Sequence, residues 1–131
     1  MKLIIGGYAQ GKFEYVMQQM GKRPVVVYDG ELPKFTEEME SMKEKVVIVD
    51  HFHRWVKKQV EVCGKVEEEV MAFVDNFPDC IVICDEIGNG IVPIDPLERE
   101  YREQTGRILI LLAKKAEEVE RVICGIGQRI K

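Results

Sequence analysis

The sequence predicts an α/β protein with a mostly parallel central sheet, and three observations favour that fold class. Short runs of β-branched residues alternate with longer segments of helical periodicity, which is typical of parallel strands joined by crossover helices. The strand-like runs are apolar throughout, as expected for strands covered by helices on both faces. A hydrophobic fraction of 46% is sufficient for one core in 131 residues. We therefore expect residues 1–131 to form a single domain.

The predicted elements follow one another without an internal repeat or a low-complexity linker. The predicted strands are 2–5, 25–28, 46–49, 80–84 and 121–124. Helices are predicted at 13–20, at 52–74 with a break at Gly64, and after Asp95, which is the expected N-cap before Pro96. The inner stripe predicted for this last helical segment is Leu97, Tyr101, Ile108, Leu112, Ala116 and Val119. The acidic stretch 33–43 predicts a short helix or a mobile connection.

Composition excludes some classes of partner. Charged residues make up 32% of the chain, both signs are interspersed, and the net charge is -4, so we expect no binding to nucleic acid. No apolar run has the length of a membrane span, and the apolar N-terminal run is too short for a signal peptide. A cytoplasmic location is the corresponding expectation.

The four cysteines are interpreted as buried, reduced thiols that pack like small hydrophobic side chains. Cys63 lies in a helical pattern, whereas Cys80, Cys84 and Cys124 lie in apolar strands. Cys80 and Cys84 are spaced to share one face of a strand. Because the sequence has neither a C-x-x-C pair nor a neighbouring histidine pair for them, a metal site is the less favoured alternative.

The first loop has the spacing of a phosphate-binding loop. Residues 6–12 match G-x-x-x-x-G-K between a buried strand and a helix, so that backbone N–H groups, the helix N-terminus and a lysine surround an anion. The candidate nucleotide-binding residues are Gly6, Gly7, Tyr8, Ala9, Gln10, Gly11, Lys12 and Phe13. The motif normally ends in Ser or Thr, whose hydroxyl binds Mg²⁺; Phe13 has no such oxygen, so we expect weakened Mg²⁺ binding.

Acidic residues follow two of the predicted strands, at Asp50 and at Asp85-Glu86. Ligands of parallel α/β sheets gather beyond the carboxyl ends of the strands, so these side chains are expected to face the phosphate loop. Asp50 is the candidate metal-binding acid. The alternative for Asp50 is a cap on the helix that follows it.

The second half of the chain resembles the bifunctional adenosylcobinamide kinase / adenosylcobinamide-phosphate guanylyltransferase family. That family carries N-E-V-G-x-G-I-V-P, then L-A-R-x-[FY]-R-D-x-x-G-R-x-N-Q, and a closing G-[IL]-x-x-x-[IL]-K. The first motif corresponds here to residues 85–93. The residues that carry the rest of the resemblance are Leu97, Arg99, Tyr101, Arg102, Gly106, Arg107, Gly125, Ile126, Gly127 and Lys131.

The resemblance implies a three-layer P-loop NTPase fold, GTP or ATP as the nucleotide, and a homotrimer. It also implies phosphorylation of the hydroxyl on the aminopropanol arm of adenosylcobinamide, followed by transfer of GMP through a guanylylated histidine. The catalytic residues carried over by motif are Lys12 in the loop, Asp50 after the third strand and Glu86 in the glycine motif, with Asp50 also as the metal ligand.

Several positions depart from the family pattern. The accepting histidine belongs to the connection between the second and third strands, which here is the short segment 31–45 without histidine. His51 and His53 follow Asp50 instead, and each is either a recruited nucleophile or, as favoured, a polar residue of the site wall or helix start. Asp85 stands where the family has the Asn before its motif glutamate. The Asn-Gln pair that ends the family's second motif is replaced by Leu-Ile at positions 109–110.

Three functional interpretations remain open. One is a cobinamide kinase that retains phosphoryl transfer and has lost guanylyltransfer. The second is a nucleotide-binding homologue without efficient chemistry that acts as a regulatory or subunit partner. The third is a P-loop kinase of another small molecule.

Overall fold

The computed structural model describes residues 1–34 and 39–131. Six strands are formed by β1 (Lys2–Gly6), β2 (Val25–Asp29), β3 (Val46–Asp50), β4 (Ile81–Asp85), β5 (Glu118–Ile123) and β6 (Ile126–Arg129). Five helices are formed by α1 (Lys12–Met20), α2 (Met39–Met42), α3 (Phe52–Glu61), α4 (Val66–Asn76) and α5 (Pro96–Lys115). Part of the acidic stretch 33–43 is thus the short helix α2, and its positions 35–38 lie outside the described residues.

The six strands form one sheet in the order β2-β3-β4-β1-β5-β6. Strand β1 is parallel to both β4 and β5, β3 is parallel to both β2 and β4, and β6 alone is antiparallel, to β5. The carboxyl ends of the five parallel strands β1–β5 therefore lie at one edge of the sheet. The register places Gly6 beside Asp85, and Asp29 beside Asp50. The predicted mostly parallel α/β sheet is confirmed.

Helices cover both faces of the sheet, which gives three layers. On one face, alternate strand residues such as Leu3, Val49 and Val82 pack in a core with buried residues of α3, α4 and α5. On the other face, Ile4 and Ile83 pack against α1. Successive strand side chains point to opposite faces, and covering both faces explains why these strands are apolar without alternation.

Two helix boundaries agree with the sequence signals. The helical region after β3 is interrupted around Gly64, which separates α3 from α4. The Asp95 carboxylate accepts the N–H of Leu97 at 2.9 Å, and Pro96 occupies the first turn of α5, as predicted for an N-cap. The predicted inner stripe was wrong at Leu97, which is 41% exposed. Leu97 lies in the first turn of α5, directly after the exposed residues 94–96.

The C-terminal part differs most from the sequence prediction. The last predicted strand begins earlier, at Glu118, so that Val119 belongs to β5 and not to the helix before it. A further strand, β6, was not predicted, because its sequence Ile-Gly-Gln-Arg has little β-branched character.

The interpretation of the cysteines was correct for two and wrong for two. Cys80 and Cys84 are buried in the same core, and burial raises the pKa of each thiol to about 12. Cys63 and Cys124 are exposed, and both have positive φ angles, 52° and 50°, in turns beyond the elements that precede them. All four cysteines are free thiols.

None of the helices in the described part of the chain combines the length and apolar character that a membrane-spanning helix needs.

Candidate functional site

The loop between β1 and α1 is a tight turn that depends on glycine. Gly6 is buried at the end of β1, where a Cβ atom would lie 2.5 Å from the carbonyl oxygen of Val122. Ala9 and Gly11 have positive φ angles of 53° and 82°. Gly11 is the N-cap of α1, so the first N–H groups of that helix, which have no partner within the helix, face the loop.

The turn between β5 and β6 is hydrogen-bonded to this loop. The N–H of Gly125 donates to the carbonyl oxygen of Gln10 at 2.8 Å, and the N–H of Cys124 donates to Gln10 Oε1 at 2.8 Å. Gly11 also packs against Gly125, since a Cβ on Gly11 would lie at van der Waals distance, 3.5 Å, from the Cα of Gly125. The closing glycine segment of the sequence therefore supports the phosphate loop, although more than 110 residues separate the two in the chain.

A cavity of about 380 Å³ opens in front of the loop. Its lining residues are Tyr8, Ala9, Gln10, Gly11, Lys12, Phe13, Glu14, Asp50, His51 and Asp85. Tyr8 is 81% exposed and does not fill the cavity. The structure thus brings the sequence-predicted loop residues 8–13 and Asp50 to one wall, at the carboxyl edge of the sheet.

Lys12 is held inside the site by two oxygen atoms. Its Nζ lies 2.6 Å from Asp85 Oδ1 and donates to the carbonyl oxygen of Gly7 at 2.6 Å. Both charged side chains are largely buried, with Lys12 7% and Asp85 13% exposed. Asp85 was not among the sequence-predicted catalytic residues, although its place at a strand end indicated that it faces the loop.

His53 contacts the same carboxylate from α3. The backbone N–H of Asp85 donates to His53 Nδ1 at 3.2 Å, which leaves Nε2 as the protonated nitrogen of the neutral ring. Nε2 lies 3.5 Å from Asp85 Oδ2. Burial lowers the pKa of His53, which favours the neutral ring beside Asp85. Asp85 therefore links the lysine of the loop to a buried histidine.

Asp50 ends β3 beside the cavity, where burial raises the pKa of its carboxyl group. Its Oδ1 accepts the backbone N–H of His51 at 2.8 Å, and its Oδ2 lies 3.4 Å from His51 Nδ1. His51 is the N-cap position of α3, with a left-handed backbone at φ 49°. Its Nδ1 also lies 2.6 Å from Asp29 Oδ1 at the end of β2.

Two sequence-predicted residues have contacts unlike those expected for a catalytic P-loop. The Glu86 carboxylate faces the guanidinium of Arg121 in β5, with two N···O distances of 3.0 Å, and it is not one of the residues that line the cavity. Phe13 packs partly against the core beneath α1. The position that carries a metal-binding hydroxyl in the motif is therefore joined to the hydrophobic core.

A glycine loop between a buried parallel strand and a helix, with a lysine and strand-end acids at the same sheet edge, defines the P-loop NTPase class. The family model of cobinamide kinase / cobinamide phosphate guanyltransferase matches residues 25–130. The chain belongs to that family.

Two curated relatives bear the printed name "Bifunctional adenosylcobalamin biosynthesis protein CobU". The protein from Salmonella typhimurium is 34% identical over 70 residues, which cover 50% of this chain and 39% of the relative. The protein from Escherichia coli is 43% identical over 51 residues, which cover 39% of this chain and 28% of the relative. The chain thus spans less than half the length of either relative.

Proposed function

We propose that residues 1–131 form one nucleotide-binding domain that binds GTP or ATP and transfers the terminal phosphoryl group to the hydroxyl of adenosylcobinamide. The single observation that carries this proposal is the convergence of residues 8–13, Asp50 and Asp85 on one cavity at the carboxyl edge of the sheet. The family and the two relatives supply the acceptor and the connection with cobalamin biosynthesis. Assembly as a homotrimer and a cytoplasmic location belong to the same proposal.

The roles of the residues follow from their contacts. Lys12 would exchange its Asp85 partner for a phosphate oxygen and stabilise the charge of the transferring group. The backbone around Gly11 and the start of α1 would hold the inner phosphates. Glu86, proposed as catalytic by motif, would have to leave Arg121 to reach the acceptor.

The donor atoms fit a divalent cation in part. The Asp50 carboxylate borders the cavity, but the hydroxyl expected at position 13 is replaced by the partly buried Phe13. Asp50 is the residue that would hold Mg²⁺, and the ion would supply charge neutralisation at the phosphates. The cavity wall contains one lysine against the three carboxylates of Glu14, Asp50 and Asp85, so a nucleotide is expected to bind more tightly with a cation than without one.

Guanylyltransfer by the family's route is proposed to be lost. The connection 31–45 between β2 and β3 contains no histidine that could accept GMP. Among the histidines, the ring of His53 is turned toward Asp85 and that of His51 toward Asp29. Those contacts favour roles in the site wall for both over a role as nucleophile.

A second candidate function is nucleotide binding without efficient chemistry, as a regulatory or subunit partner. Two observations favour it, namely the pairing of Lys12 with Asp85 and the absence of a hydroxyl at Phe13. A kinase of another small molecule on the same scaffold is the remaining alternative.

The experiment that separates these candidates is a phosphotransfer assay with GTP or ATP labelled at the terminal phosphate, Mg²⁺ and adenosylcobinamide. Labelled adenosylcobinamide phosphate, formed by the wild-type chain and lost in Lys12→Ala, would support the kinase. Nucleotide binding without product would refute phosphoryl transfer to this acceptor and leave the binding function. Product formation with a different small alcohol alone would favour the third candidate.

A further inference from the structure

Three metal-ligating side chains converge where β2 and β3 end. The ligand atoms of Asp29, Asp50 and His51 all lie within 4.8 Å of one another. The parallel register pairs Asp29 with Asp50 directly, and the N–H of Gly30 donates to the carbonyl oxygen of Asp50 at 2.8 Å. The two carboxylates are therefore fixed side by side by strand pairing, and the loop after β2 follows the end of β3.

The backbone at His51 brings the imidazole to this pair. His51 has a left-handed conformation at φ 49° and ψ 44°, which is uncommon for a residue with a side chain. The backbone N–H of His51 donates to Asp50 Oδ1, so that Asp50 Oδ2 is the oxygen that faces Nδ1 of the His51 ring. Carboxylates that bind metal ions in proteins are themselves held by hydrogen bonds of this kind.

The two distances from the His51 ring nitrogen to the carboxylates are within about 1 Å of the spacing of ligands on one metal ion. Bonds of about 2.1 Å place two ligands about 3.0 Å apart in octahedral and about 3.4 Å apart in tetrahedral geometry. His51 Nδ1 lies 3.4 Å from Asp50 Oδ2 and 2.6 Å from Asp29 Oδ1. The second of these pairs would have to separate by less than about 1 Å, and the Asp29 side chain, which is 63% exposed, has room to move.

The charge of the cluster favours a cation. Among residues 1–34 and 39–131, the ion pairs made by Asp29 and Asp50 both go to the His51 ring. Two carboxylates and one imidazole present a mixed oxygen and nitrogen donor set, which suits Mn²⁺, Co²⁺ or Zn²⁺ better than Mg²⁺, whose preferred donors are oxygens.

We propose that Asp29, Asp50 and His51 form a binding site for a divalent transition-metal ion on the wall of the phosphate cavity. Asp50 and His51 line that cavity, so an ion held there would border the space in front of the loop. The metal site depends on the proposed function only for its position beside the phosphate cavity, because metal binding by Asp29, Asp50 and His51 requires no nucleotide. An imidazole donor at His51 would compensate in part for the hydroxyl that is absent at Phe13.

The test is titration of the intact chain with Co²⁺ alone, without nucleotide, followed by visible absorption and calorimetry. The wild-type chain is expected to bind one Co²⁺ with absorption bands of nitrogen and oxygen coordination, and to bind it at least about tenfold more tightly than Mg²⁺. His51→Ala and Asp29→Asn are each expected to weaken Co²⁺ binding at least about tenfold, since even outer partners of metal ligands contribute 10- to 100-fold.

Asp79→Asn is the matched control for Asp29→Asn, because it makes the same change of charge at an exposed position before the amino end of β4, away from the cluster. Co²⁺ affinity should be unchanged in this variant, and thermal unfolding should show all variants to be folded. Absence of Co²⁺ binding to the wild-type chain, equal loss in the control, or a sulfur-to-cobalt absorption band from the exposed Cys63 or Cys124 would overturn the proposal.

Failure of this site and failure of the proposed function are distinguishable. A chain that binds GTP but not Co²⁺ lacks the transition-metal site and retains the nucleotide function. A chain in which Co²⁺ binding depends on His51 but GTP does not bind has the metal site without the proposed function.

Discussion

Replacing Asp85 with Asn should strengthen nucleotide binding, because the Asp85 carboxylate competes with phosphate for Lys12. In the structure Lys12 Nζ lies 2.6 Å from Asp85 Oδ1, and both side chains are largely buried. A nucleotide must break this contact before Lys12 can bind its phosphates. Once the phosphates are bound, Asp85 remains beside them as a second negative charge.

The expected gain follows from the difference between a charged and a neutral acceptor. A hydrogen bond to a charged group contributes about 1.5–3 kcal/mol, whereas one between neutral groups contributes about 0.5–1.5 kcal/mol. Because Lys12 keeps its charge, the asparagine contact lies near the top of the neutral range, and the difference is at most about 1.5 kcal/mol. That corresponds to at most about twelvefold in Kd. Loss of the repulsion between carboxylate and phosphate acts in the same direction, so we expect affinity to rise by up to about tenfold.

The assay is calorimetric titration of GTP in EDTA, which removes the contribution of any metal ion. Asp79→Asn is the matched control, because it makes the same change of charge at an exposed position just before the other end of β4. Thermal unfolding should show both variants to be folded, with Asp85→Asn the less stable because Lys12 loses its charged partner. Unchanged or weaker GTP binding by Asp85→Asn would refute the competition, as would an equal gain in Asp79→Asn.

Three further predictions concern the same site. Gly6→Ala should lower the free energy of unfolding by about 1–3 kcal/mol in urea denaturation, since the added Cβ would lie 2.5 Å from the carbonyl oxygen of Val122. Gly88→Ala, where a Cβ meets nothing within 4 Å, is its control, and equal losses would contradict the crowding at Gly6. Burial lowers the pKa of His53, so this residue stabilises the fold above the unfolded value of about 6.5, and that contribution is lost as the pH falls through the lower folded value. Urea midpoints between pH 7.5 and 5 should therefore fall less steeply in His53→Gln than in the wild type, and parallel curves would argue against the shift. Phe13→Ser restores the hydroxyl of the motif and should raise Mg²⁺-dependent phosphotransfer in the labelled assay, at some cost in stability because Phe13 packs against the core; no gain would favour the binding-only function.

The sheet could be predicted from the sequence because its strands are apolar on both faces. The runs at 46–49 and 81–84 contain only apolar residues and cysteine, which leaves few alternatives to a strand covered by helices. The break at Gly64 and the cap at Asp95 were also local signals. In contrast, β6 pairs with β5 through a tight turn, and its pattern is too polar to predict a strand.

The candidate site was predictable in its location but not in its pairings. The loop spacing and the acids at strand ends follow from local sequence, whereas the contact of Lys12 with Asp85 depends on β4 lying beside β1 in the sheet. The ion pair between Glu86 and Arg121 likewise requires that β4 and β5 lie on the two sides of β1 in the sheet. Such pairings join residues more than 30 positions apart, and no local pattern determines them.

The backbone from Gly7 to Lys12 is proposed to bind the phosphates of a nucleotide, and amide chemical shifts report on that contact residue by residue. Titration of the ¹⁵N-labelled chain with GTP should shift the amide signals of residues 7–13 most strongly, in a saturable manner. The same shifts should be lost, or should require far higher GTP concentrations, in Lys12→Ala. Shifts concentrated elsewhere in the chain, or no saturable shift at this loop, would contradict phosphate binding by residues 7–12.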